Sequence, residues 1–185
     1  MAALARAGFA WALAAAFGTG AYATQVAAQD RLARAEDFLW EGDADAARRE
    51  LARWFETSER TAPGAARGRA LLLRARLSAD PVAAERDYLE VVHAYPRSPA
   101  APEALLRLGQ WVLAKGETDR AVSYLDRLVS DHPGWRGRDE ALLWLARALH
   151  AQGRRRDACR VAQGAARSAD PSVARLARAE AARCR

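Results

Sequence analysis

The residues with chemistry to offer are two cysteines, Cys159 and Cys184, three histidines, His93, His132 and His150, and acid pairs such as Glu36-Asp37 and Asp139-Glu140. Thiolates and imidazoles are natural zinc ligands, but sequence-legible zinc and redox sites gather them at short spacings such as C-x-x-C or H-E-x-x-H. Here the histidines are scattered and the cysteines lie far apart, so the spacing predicts no metal and no cofactor. Paired acids do acid–base work where their surroundings split their pKa values, and these pairs fall in helical stretches with solvated faces. No G-x-S-x-G elbow, phosphate-binding Gly-Lys loop or dinucleotide Gly fingerprint occurs. The expectation is a non-enzymatic chain without a small-molecule substrate.

The elements that position these residues follow from composition. The 185 residues are 51% hydrophobic, dominated by Ala and Leu, with no Ile. Few β-branched side chains and many small ones favour closely packed helices, so the fold class is all-α. Arg supplies nearly all the basic residues, Lys115 being the single Lys. The net charge of +6 concentrates after residue 153, where Arg residues face only Asp157, Asp170 and Glu180 as acids. A basic C-terminal end attracts acidic partners over roughly one Debye length of ~8 Å, although a solvated Arg-rich helix face reads the same way. Nucleic acid is not expected, because no reader motif accompanies the charge and the preceding body is close to neutral.

Ala7 to Gln29 carries no charged residue and follows Arg6. A basic leader before an apolar run is the pattern of an export signal, and Ala21-Tyr22-Ala23 and Val26-Ala27-Ala28 both fit small-residue cleavage sites. Residues 1–28 therefore read as a signal peptide or, alternatively, as an uncleaved N-terminal membrane anchor. In both cases residues 29–185 form the folded domain and face an extracytoplasmic space: periplasmic, or tethered to the inner membrane on its periplasmic side.

Self-similarity sets the architecture. Ala47, Ala84, Ala121 and Ala158 recur every 37 residues, as do Gly42, Ala79, Gly116 and Gly153. Trp54, Val91, Leu128 and Ala165 form a further apolar column. In stacked helical hairpins, small residues permit close approach and the larger apolar ones fill the space between. The predicted helices are 30–41 with 44–59, 65–78 with 81–94, 100–115 with 118–131, and 137–151 with 154–168. A capping helix at 172–184 follows. Glycine ends the first helix of three pairs, Asp80-Pro81 starts a second helix, and Tyr95-Pro96 and His132-Pro133 stop two others.

The segment LLRLGQWVLAKGETDRAVSYLDRLVSDHP, Leu105 to Pro133, resembles a tetratricopeptide repeat in its Leu-Gly, Gly, Ala, Leu and Pro landmarks. The longer period and YPRSPAAPEALLRLG at 95–109 are similar to bacterial envelope members of that family, of the outer-membrane assembly lipoprotein and Tol-Pal coordinator kinds. No Cys follows the N-terminal apolar run, so a lipidation site of the first kind is missing. The resemblance implies a four-repeat helical-hairpin solenoid that acts as a protein-interaction scaffold, with a groove lined by the first helix of each pair.

Helical periodicity places Leu32, Glu36, Leu39 and Trp40, then Arg69, Leu73 and Arg76, then Leu106, Gln110 and Leu113, then Leu143, Arg147 and His150 on that lining. Such a mixed apolar and basic surface suits a protein or peptide partner bearing carboxylates. Trp111 and Trp144 read as core, while Trp135, in a Gly-flanked loop, is the candidate interface anchor. Cys159 and Cys184 fall on adjacent antiparallel helices within about one helical turn, ~5 Å, of level. They form a candidate disulfide, with two buried thiols as the alternative. The partner is expected to be a soluble envelope protein or, if the leader is retained, a larger membrane complex of which this chain is a subunit.

Overall fold

The computed structural model describes residues 14–184, with side chains described from Val26 onward. Most of residues 1–28 therefore lies outside the described side chains, and the apolar centre of the leader, up to residue 13, lies outside the description altogether.

Nine helices make up the described chain: α1 (Ala14–Trp40), α2 (Ala44–Thr57), α3 (Gly64–Leu77), α4 (Pro81–Ala94), α5 (Ala101–Ala114), α6 (Thr118–Asp131), α7 (Arg138–Ala151), α8 (Arg155–Ala165) and α9 (Pro171–Ala182). They pack as four successive hairpins, α1/α2 to α7/α8, and α9 closes the stack against α7 and α8. The predicted boundaries hold within a few residues except at α1. That helix already runs from Ala14, the first residue described, well ahead of the expected residue 30, because the Ala-rich stretch before Asp30 contains no helix-stopping Pro.

The turns have a local cause that repeats with the sequence. Gly42, Gly116 and Gly153 have φ of 84°, 79° and 77°, the left-handed conformation that a Cβ disfavours. Each lets the following residue's amide reach back to the helix: Asp43 to the Phe38 carbonyl at 2.8 Å, Glu117 to Val112 and Arg154 to Leu149 at 2.9 Å. These bonds satisfy carbonyls that a helix end leaves without partners. The second hairpin has no such glycine. There the Arg48 guanidinium of α2 donates to the Leu77 carbonyl at 3.0 and 3.1 Å, capping α3 from outside. Asp80 then accepts from the Val82 amide at 2.9 Å and starts α4 ahead of Pro81.

The repeat columns form the core. Trp54, Val91, Leu128 and Ala165 are fully buried, as are Ala47, Ala121 and Ala158. Ala84, the fourth member of the alanine column, is half-buried beside a cleft between α4 and α5. Gly109 permits a close approach of α5 to α6, since a Cβ there would lie 2.6 Å from Leu125 Cγ. Asp87, 1% exposed, is the buried charge of the described core, and Arg74 holds it bidentately at 2.6 and 3.0 Å across the α3/α4 hairpin.

Candidate functional site

The odd-numbered helices, α1, α3, α5, α7 and α9, share one face, and polar and charged side chains link each to the next along it. Glu36 of α1 pairs bidentately with Arg69 of α3. Those hydrogen bonds hold the Arg69 guanidinium above its ordinary pKa. Arg76 of α3 approaches Glu103 of α5 at 3.9 Å, and Arg107 reaches the same carboxylate at 3.6 Å. Gln110 of α5 donates to Glu140 of α7 at 3.3 Å, and Arg147 of α7 lies 3.3 Å from Glu180 of α9.

Six of the predicted lining residues, Glu36, Arg69, Arg76, Gln110, Arg147 and His150, belong to this ladder. Their acidic partners Glu103, Glu140 and Glu180 were not singled out from the sequence. The signal was present: the pairs Glu36/Arg69, Gln110/Glu140 and Arg147/Glu180 are 33, 30 and 33 residues apart, close to one repeat.

The predicted leucines behave differently. Leu73, Leu106 and Leu143 are 1%, 2% and 2% exposed, and Leu32 is 1% exposed. Leu73, Leu106 and Leu143 are core residues and not groove surface, whereas Leu32, equally buried, forms part of the wall of the cleft between α1 and α3. The reason is geometric: a first helix is enclosed by its own hairpin partner and by neighbouring repeats, so its apolar stripe is consumed by the stack. What remains open is a cleft of about 340 Å³ between α1, α3 and the start of α5. Leu72, Ala65, Ala66 and Pro99 contribute its apolar lining, and Glu36 and Arg69 its charges.

Among the tryptophans, Trp135 departs from its expectation as an open anchor. Trp135 is half-buried, folds back over Gly137, where a Cβ would meet its ring at 2.3 Å, and packs on the core. Trp111 and Trp144, expected in the core, do pack against it but stay half-buried, with their indole N–H groups donating to Glu85 at 3.0 Å and to Glu140 at 3.4 Å. Arg147 covers the Trp144 ring at 4.7 Å. Trp40, at the end of α1, is 88% exposed and is the open aromatic of the predicted set.

At the far end, Cys159 of α8 and Cys184 beyond α9 are joined as a disulfide with their Cα atoms 5.9 Å apart. His150 of α7 sits against them. Its Nδ1 is 3.2 Å from Glu180 Oε2, while its buried Nε2 has no hydrogen-bond partner. Burial alone would raise the Glu180 carboxyl, yet hydrogen bonds from Arg183, His150 and Arg147 bring it below its ordinary value. The sequence concealed this cluster because helix packing, and not spacing along the chain, brings the histidine to the cysteines.

Comparisons with known proteins agree with the architecture. No curated protein matches the sequence. Two solved structures of the nearly identical TPR-like repeats ascribed to a kinesin light chain of Podosopora anserina each superpose with a TM-score of 0.62 at 19% identity. Each match covers 84% of this chain and 84% of that one. Residues 103–134 and 140–168, the α5/α6 and α7/α8 hairpins, match the tetratricopeptide repeat family model, so the chain carries tetratricopeptide repeats within a TPR-like helical solenoid.

Proposed function

We propose that the chain is a non-catalytic interaction scaffold of the bacterial cell envelope that binds an acidic segment of a protein partner along its odd-helix face. Tetratricopeptide repeats are protein-interaction modules whose stacked hairpins offer extended binding surfaces. The observation that carries the reading is the row of part-exposed guanidiniums beside an apolar cleft. The side chains of Arg69, Arg76 and Arg107 are 38%, 37% and 44% exposed, and Arg76 meets Glu103 only at 3.9 Å. A guanidinium has five N–H donors, so each keeps donors for an incoming carboxylate. The Leu72 and Pro99 wall gives an apolar side chain of the partner a place to bury. The basic α8/α9 end extends the same attraction.

Export or anchoring by residues 1–28 is part of the proposal, supported by the uncharged run after Arg6 and by the cysteine pairing. Among the described residues no helix is long and apolar enough to cross a membrane. A second reading, a membrane-anchored subunit with its N-terminal helix retained, draws support from α1, which runs without a break from Ala14 into the first repeat and packs Ala28 in the core.

The test is an affinity pull-down of the tagged native protein from detergent-solubilised membranes, with the intact mass of the recovered chain read alongside. The scaffold reading expects a chain trimmed within residues 21–29 together with a soluble envelope partner that Arg76→Glu/Arg107→Glu no longer retains. A full-length chain in a stoichiometric membrane complex selects the second reading. Retention of the same partner by the charge-reversed chain contradicts binding through this face.

A further inference from the structure

We propose that reduction of Cys159–Cys184 converts this cystine into a binding site for a zinc-class divalent cation, with His150 as the third protein ligand. The two sulfurs and a ring nitrogen of His150 all lie within 4.8 Å of one another. In a tetrahedral zinc site with Zn–S of about 2.3 Å and Zn–N of about 2.0 Å, the ligand atoms stand roughly 3.5–3.8 Å apart. The cysteine sulfurs must separate once their bond is broken, and the imidazole must close by about 1 Å. A Cα separation of 5.9 Å leaves room for both adjustments by side-chain rotation.

The histidine is the second, independent observation. Its side chain is only 8% exposed, yet Nε2 has no hydrogen-bond partner. A buried polar atom without a partner is costly, and a buried imidazole packed within 4.8 Å of two sulfurs with one nitrogen unpartnered is an arrangement that a metal completes. Glu180 defines the tautomer. Arg147 at 3.3 Å and Arg183 at 3.0 Å keep its carboxylate an acceptor, so His150 Nδ1 carries the proton and donates it at 3.2 Å. Nε2 is then the free donor atom, in the carboxylate–histidine–metal arrangement that fixes ligating imidazoles.

The chemistry balances with a dithiol as reductant. The dithiol gives two electrons and two protons to the cystine and becomes a disulfide, leaving two protein thiols. The cation then displaces both thiol protons, and its two positive charges meet two thiolates. The fourth position stays open to water or an exogenous ligand. The cation also takes over a mechanical role. The buried apolar side chains of α9 are the small Ala174 and Ala177, and beside the cystine it is held by Glu180 pairing with Arg147 and His150, so reduction without a metal loosens the cap and metal binding restores it.

The experiment is a cobalt titration of the full-length chain, reduced with a phosphine and kept anaerobic, followed by displacement with zinc. The reduced chain is expected to take up one equivalent of cobalt, with thiolate charge-transfer bands and the intense visible bands of tetrahedral coordination; the oxidised chain shows neither. His150→Ala and the bulkier His150→Gln, each checked for native helicity, both lose the tetrahedral bands. Glu180→Gln weakens binding about 10- to 100-fold while leaving the bands in place. Absence of charge-transfer bands in the reduced chain overturns the proposal, as does a cobalt spectrum that both His150 variants leave unchanged.

Discussion

Asp87 carries a charge that the fold encloses almost completely, and among the described residues it is compensated by the guanidinium fork of Arg74 with a longer contact from Arg86 at 3.4 Å. Asp87→Ala removes the acceptor and leaves Arg74 over the Phe55 ring without its partner. A loss of about 2 kcal/mol is expected, read as a lower denaturation midpoint at unchanged slope. Glu180 gives the matching pH dependence. Its folded pKa lies below the ordinary 4.5, so its contribution is complete above that value and disappears as pH falls through the lowered one. Thermal melts from neutral pH into acid should show the wild type losing stability there, and Glu180→Gln, already less stable at neutral pH, losing less. Half of this site was legible in the sequence. Glu36, Arg69, Arg76 and Arg147 stand out by periodicity, whereas the carboxylates Glu103 and Glu180 that meet Arg76 and Arg147 belong to neighbouring repeats and become visible only when charges are compared one period apart. Leu73, Leu106 and Leu143 were misplaced because periodicity gives a helix one apolar stripe without saying how much of it the next hairpin covers.

Helices were legible because their stops are chemical. Glycine at φ near 80° ends α1, α5 and α7, and proline follows the ends of α4 and α6. The α3 end was legible only through Asp80-Pro81, since its carbonyl cap comes from Arg48 on another helix. Two glycines inside helices separate packing from propensity. Gly109→Ala drives a methyl into Leu125 and should cost about 1–3 kcal/mol. Gly164→Ala in α8 meets nothing within 4 Å and should stabilise by about 0.5–1 kcal/mol, both changes being read from urea unfolding. The disulfide belongs to the same scale, because it closes 25 residues around the α8/α9 turn. Cys159→Ser should lower stability by about 3 kcal/mol, and hydrogen exchange should quicken in α9 before the rest of the chain.

Four hairpins and a cap exceed the roughly three stacked units that repeat arrays need, so the whole chain has one continuous scaffold on which to present its odd-helix face. That face holds a ladder of contacts between repeats, and many of its arginines retain exposed donors. A partner recognised by those donors is expected to dissociate as salt rises, because exposed charge pairs are screened within about 8 Å at physiological ionic strength. The most direct measurement of the account's central claim is photo-crosslinking in the native cell from two positions. One probe replaces Arg76 on the odd-helix face; the other replaces Arg49 on the exposed side of α2. The account predicts a discrete adduct from position 76, mapping to an Asp- and Glu-rich segment of one envelope protein, and none from position 49. The same adduct from position 49 alone would contradict binding through the odd-helix face.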